Sequence, residues 1–133
     1  MIVLEPCEFA LAAAEAAAEK KAAEIVVLDV GDLLVITEYF VLATGGTARQ
    51  VKTIAQEVEK RLKEEGLRVL GREGEREGEW VLLDFGDVVV HVFQPATREF
   101  YRIERLWDDA GEVDLPESVT GPREAEEAEC AGS

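Results

Sequence analysis

His91 is the only histidine in the chain, and Ser118 and Ser133 are its only serines, so a Ser-His-Asp nucleophile has almost nothing to draw on. Both serines stand in a Pro-, Gly- and Glu-rich end. His91 sits inside an apolar run, where a lone histidine is more often a hydrogen-bonded core residue than a catalytic one. Two pairs of carboxylates have spacing that suits either a divalent cation or a capped turn: Asp29 with Asp32, and Asp84 with Asp87. Turn capping is the commoner use. The letters Asp84-Phe85-Gly86 match the kinase magnesium motif, but no catalytic loop or glycine-rich ATP loop accompanies them. Thr44-Gly45-Gly46-Thr47 opens a helix and offers N–H groups to a phosphate, although it lacks both GxGxxG spacing and the Lys-Ser/Thr of a P-loop. Such a turn also serves simply to make the bend. The expectation is a chain with no catalytic residue, no metal and no cofactor.

The element around which the rest is organised is the stretch from Glu79 to Phe93. Two apolar runs, Trp80 to Leu83 and Val88 to Phe93, flank Asp84-Phe85-Gly86-Asp87, a hairpin pattern in which glycine supplies the positive φ. The runs are nearly continuous, which predicts strands covered on both faces. Before it come a helix over 8–23 with Lys20-Lys21 in its last turn, a strand over Glu24 to Val30, and a strand over Leu33 to Ala43. Thr47 and Gln50 form a capping box for a helix whose stripe is Val51, Ile54, Ala55, Val58 and Leu62, and Gly66 stops it. Leu67 to Leu70 reads as a short edge strand and Gly71 to Gly78 as a charged, mobile loop. Thr97 caps a last helix with Phe100, Ile103, Leu106 and Trp107 as its buried stripe. The predicted order is α-β-β-α-β-β-β-α, an α/β domain with a mixed sheet. Its body spans 1–111, and 112–133 reads as a disordered acidic tail.

With 133 residues the chain is long enough for one self-sufficient core. Cys7 and Cys130 form no CxxC pair and nothing has the form of a signal peptide, which predicts a cytoplasmic protein with reduced thiols. No apolar run approaches the ~20 residues of a membrane span. The net charge of -15 comes from 29 acids against 14 bases, and the bases are scattered among glutamates. Such a surface repels phosphate backbones and suits a basic protein partner, or it serves solubility alone. Trp80, beside the charged loop, is either core or an exposed anchor.

Four separated stretches in one order carry a family resemblance: EKKAAEIVVLDV (19–30), YFVLATGGTARQV (39–51), EGEREGEWVLLDFGDVVVHVF (73–93) and REFYRIERLW (98–107). They resemble the Iojap family of ribosomal silencing factors. The resemblance implies a mixed five-stranded α/β fold similar to nucleotidyltransferases but without their activity. It implies binding to the large ribosomal subunit through large-subunit ribosomal protein fourteen, which blocks subunit association and represses translation when nutrients are scarce. Carried over onto this chain are the partner-binding residues Glu73, Gly74, Trp80, Val81, Asp84, Asp87, Arg98 and Tyr101, together with His91, Glu104 and Trp107. Glu38 stands where the family usually has Asp, and Gly46-Thr47 replaces its usual small polar pair. Direct nucleic-acid binding is not required by this reading. The alternatives are a nucleotidyltransferase-like enzyme that holds a nucleotide at the Thr44–Thr47 turn, and a homodimerising module.

Overall fold

The computed structural model describes residues 5–31, 37–106, 111–116 and 119. Glu5 N–H donates to Glu8 Oε1 at 2.9 Å and Pro6 occupies the first helical position, so helix α1 (Pro6–Glu19) starts two residues before the expected 8. It also ends sooner. Lys21 adopts a left-handed φ of 66°, so the two lysines lie beyond the helix and not in its last turn. The face formed by Ala10, Ala13, Ala14, Ala16 and Ala17 is fully buried, and its small side chains let α1 lie close against its neighbours.

Strand β1 (Ala23–Asp29) pairs antiparallel with β2 (Tyr39–Thr44), with a bulge between Ala23 and Val26 where Glu24 takes a φ of 48°. The second strand thus begins later than the expected Leu33; residues 32–36 lie outside the described part. Helix α2 (Ala48–Glu64) has the expected buried stripe, and Gly66 at φ 98° follows its end. Its cap departs slightly from a capping box. Gln50 N–H donates to Thr47 Oγ1 at 3.1 Å, but Gln50 Oε1 accepts from Gly46, one residue before the cap, at 2.7 Å. Gln50 Nε2 also reaches the carbonyls of Lys20 and Lys21, tying the exit of α1 to the entry of α2.

Leu67 to Leu70 is not a strand. The edge strand is β3 (Gly71–Glu73), inside the segment expected to be loop, and it pairs antiparallel with β4 (Trp80–Asp84). Strand β4 pairs antiparallel with β5 (Val88–Phe93), and β5 runs parallel to β2. The last helix is two short pieces, α3 (Pro95–Tyr101) and α4 (Ile103–Leu106), because Arg102 adopts a left-handed φ of 45° between them. Helix α3 starts at Pro95 after Gln94, not at Thr97, since proline without its N–H is pre-set for a first helical position. The break turns Phe100 out to solvent, 80 % exposed, while Ile103 is buried. Trp107 lies outside the described residues.

Strand β6 (Gly111–Glu112) adds to β1, giving a mixed six-stranded sheet of order β3-β4-β5-β2-β1-β6, one strand more than expected. Beyond it Val113 N–H donates to Val27 O at 2.8 Å and Leu115 is buried. The segment just past residue 111 therefore packs on the body; residues 120–133 lie outside the described part. Cys7 is buried and disulfide-bonded, contrary to the expected reduced thiol, and the chain's other cysteine, Cys130, is outside the described residues. No helix among the described residues is long and apolar enough to cross a membrane.

The two sheet faces are treated unequally. On one, Val27, Val41, Ala43, Val81, Leu83, Val88, Val90 and Val92 pack with α1 and α2 in a single core. On the other, Leu28, Val30, Phe40, Leu42 and Phe93 gather with Ile103, while Trp80 and Val89 are only partly covered. The expectation that both hairpin strands are covered on both faces holds for most of β5. It fails for β4, where Val81 and Leu83 are buried but Trp80, Leu82 and Asp84 are half-exposed.

Candidate protein-binding face

Alternation along β4 decides what this half-covered face presents. Trp80, Leu82 and Asp84 point one way and are joined there by their register partners: Phe93 opposite Trp80, His91 and Glu73 opposite Leu82, Val89 opposite Asp84. The Trp80 ring lies 5.1 Å from Phe93 and 5.0 Å from Tyr101, centroid to centroid. Tyr101 is 52 % exposed and meets Phe100 edge-on at 5.0 Å. The result is an aromatic patch running from β4 onto α3, edged by the exposed carboxylate of Glu73 and the half-exposed Asp84.

Trp80 is neither free nor core. It is half-buried, and its Nε1–H donates to His91 Nδ1 at 3.1 Å. That bond fixes the imidazole as the neutral tautomer bearing its proton on Nε2, which is buried and meets no hydrogen-bond partner among the described residues. Desolvation lowers the His91 pKa from 6.5 to about 4. Phe40 meets the ring edge-on and Phe93 stacks on it. His91 is therefore a buried support beneath Trp80.

The remaining expected residues separate by role. Val81 is fully buried on the opposite face, under α2, because it is one residue out of phase with Trp80. Its side chain is core and does not reach the patch. Arg98 is also buried: its Nη1 donates to Glu24 O at 2.5 Å and Thr44 Oγ1 at 2.8 Å, joining α3 to the ends of β1 and β2. Gly74 acts through its backbone. At φ 79° a Cβ there would stand 1.9 Å from Trp80 O, so only glycine lets the β3 end pass this close. Asp87 is exposed at the far end of the turn, and its carbonyl accepts from Glu38 and Tyr39 N–H at 2.9 and 3.0 Å. Leu82, Val89 and Phe100 belong to the patch and were not singled out from the sequence. The period-2 spacing of Trp80, Leu82 and Asp84 was the available signal.

The paired aspartates and the glycine turn have structural partners. Asp84 Oδ1 accepts from Gly86 N–H at 2.8 Å and Asp29 Oδ1 from Gly31 N–H at 3.1 Å, so one carboxylate of each pair caps its own turn. No group of three or more metal-capable side chains occurs among the described residues. At the Thr44–Thr47 turn, Gly45 N–H donates to Phe93 O and Gly46 N–H to Gln50, so the glycine donors are already engaged.

A mixed sheet with helices packed on one face and an aromatic, acid-edged patch on the other has the form of an α/β domain with a candidate interaction surface. Residues 4–132 match the family model described as ribosomal silencing factor during starvation. The ribosomal silencing factor RsfS of Chromobacterium violaceum is 45 % identical over 104 residues, covering 78 % of this chain and 85 % of that protein. That of Bacillus subtilis is 42 % identical, covering 77 % and 87 %. A crystal structure of a C. violaceum protein superposes with a TM-score of 0.77 at 45 % identity, covering 79 % of this chain and 88 % of that one. One from Bacillus halodurans gives 0.72 at 36 % identity, covering 81 % and 98 %. The chain belongs to the ribosomal silencing factor family, and it is also similar to the chloroplast protein Iojap of maize, 36 % identical over 84 % of this chain and 49 % of that protein.

Proposed function

We propose that this protein acts without catalysis, in the cytoplasm, by docking its aromatic face on the large ribosomal subunit through large-subunit ribosomal protein fourteen. The docked protein bars the small subunit and represses translation when nutrients are limiting. The observation that carries this reading is the Trp80–Tyr101 patch with Glu73 and Asp84 on the same face, on a chain of net charge -15. An aromatic anchor edged by carboxylates suits a basic protein surface, and desolvated aromatics at the centre of an interface supply most of its affinity. Residues 1–111 supply the docking face, and the chain beyond residue 119 is not needed for it.

Co-sedimentation with separated large and small subunits, without nucleotide, tests this. Stoichiometric recovery with large subunits alone, and slowed subunit joining, is the expected result; a need for ATP or GTP at sub-stoichiometric protein would replace it with the enzyme reading. Trp80→Ala should cost roughly 2 to 4 kcal/mol of binding, about 30- to 1,000-fold. Folding stability should fall by only about 1 to 2 kcal/mol, since the indole is half-buried. Unchanged affinity per folded molecule would return Trp80 to a purely structural role.

A further inference from the structure

The two parallel strands hand the chain to helices on opposite faces: β2 leads to α2 on the helical side, and β5 leads to α3 on the other. Parallel strands whose connections diverge leave a crevice beyond their carboxyl ends, the place where open α/β sheets hold ligands. A cavity of about 440 Å3 lies at this end, lined by Glu24, Pro95, Arg98, Glu99, Arg102 and Arg105. Arginine thus supplies half of the lining, in a chain with twice as many acids as bases. Two of the three non-glycine residues with positive φ among the described residues, Glu24 and Arg102, both line it. Such backbone conformations persist only where the surroundings impose them, and they concentrate at ligand sites.

Each arginine stands differently. The Arg98 side chain is 8 % exposed and is held by Glu24 O and Thr44 Oγ1, which makes it a rigid wall. Arg102 keeps its Nε–H on Glu99 O at 3.1 Å and is otherwise exposed, as is Arg105. Planar guanidinium groups match the oxygens of a phosphate in a two-point fork, which lysine ammonium groups do not. We infer that this cavity binds a phosphate group, either on an RNA backbone or on a free phosphorylated molecule. Glu24 and Glu99 offset the arginine charge and compete with the ligand when it arrives.

The inference stands on residues apart from the docking patch and goes beyond the silencing reading. Its test is titration of the ¹⁵N-labelled full chain with inorganic pyrophosphate and, separately, with a short single-stranded RNA. Saturable shifts at the Glu24, Arg98 and Glu99 amides are expected. The double variant Arg102→Gln, Arg105→Gln should weaken binding at least ~10-fold with the melting temperature retained, and Glu24→Gln should tighten it. Response to pyrophosphate alone identifies a free phosphate ligand; response to RNA that falls with salt identifies a nucleic-acid backbone. No saturable shift with either probe, shifts centred on Lys52, Lys60 and Lys63 of α2, or unchanged affinity in the double variant would overturn it. Trp80→Ala separates the two readings, since it should lose large-subunit binding and keep phosphate binding.

Discussion

Protonating His91 would remove the acceptor that fixes the Trp80 indole, and the fold resists this by keeping the ring out of water. Because the folded pKa is about 4 against 6.5 for the free side chain, the unfolded chain takes up a proton in that window and the folded chain does not. Stability should fall as pH drops from 6.5 toward 4, by up to about 3 kcal/mol. Denaturant unfolding of wild type and His91→Phe at pH 7.5, 6 and 5 checks it: the difference between the two should shrink or reverse at the acid end, and parallel curves would contradict the assignment. A lone histidine in an apolar run was legible as a bonded core residue. Its partner was not, because the contact crosses the hairpin between residues 11 apart, and register is decided by pairing. The same slip of phase explains Val81. Carried over with Trp80 by the family resemblance, it belongs by strand geometry to the other face.

Among the elements, α2 was the most legible, since a cap, an amphipathic stripe and a stopping glycine agree on it. The last helix was the least legible. Its apolar spacing promised one continuous stripe, yet a left-handed Arg102 divides it, and nothing in that residue's type announces a conformation glycine usually takes. The edge strand was displaced for a related reason: Gly71 to Gly78 reads as loop by composition, but pairing to β4 recruits its first three residues. Gly74 carries the consequence. Gly74→Ala should destabilise the fold by about 2 kcal/mol or more, because the left-handed backbone and the clash with Trp80 O add. It should also weaken large-subunit binding by disturbing the β3–β4 pair that carries Glu73 and Trp80. Thermal melting with co-sedimentation measures both, and an Ala variant with wild-type melting would refute the close approach.

For the molecule as a whole, the acidity readable from composition should act at the encounter. Association with the large subunit should slow as salt rises, since steering charges are screened beyond about 8 Å at physiological ionic strength. Stopped-flow rates from 50 to 300 mM salt test this; a flat profile would leave the negative charge to solubility alone. Sedimentation equilibrium addresses the homodimer: a dimer that uses Trp80 should compete with subunit binding. A different consequence follows from the outermost strands. Both are stubs, Gly71–Glu73 and Gly111–Glu112, and each includes a glutamate. At the β6 side, the bulge at Glu24 disrupts the part of β1 that β6 does not cover. Polypeptides that stack into amyloid need long, flat, unpaired borders, and the sheet offers none among the described residues. A sticky aromatic face is thus compatible with staying dispersed in a crowded cell. Removing residues 111–133 should uncover the Val27 to Asp29 border and turn a dispersed protein into one that forms thioflavin-positive fibrils, whereas removing 120–133 should not.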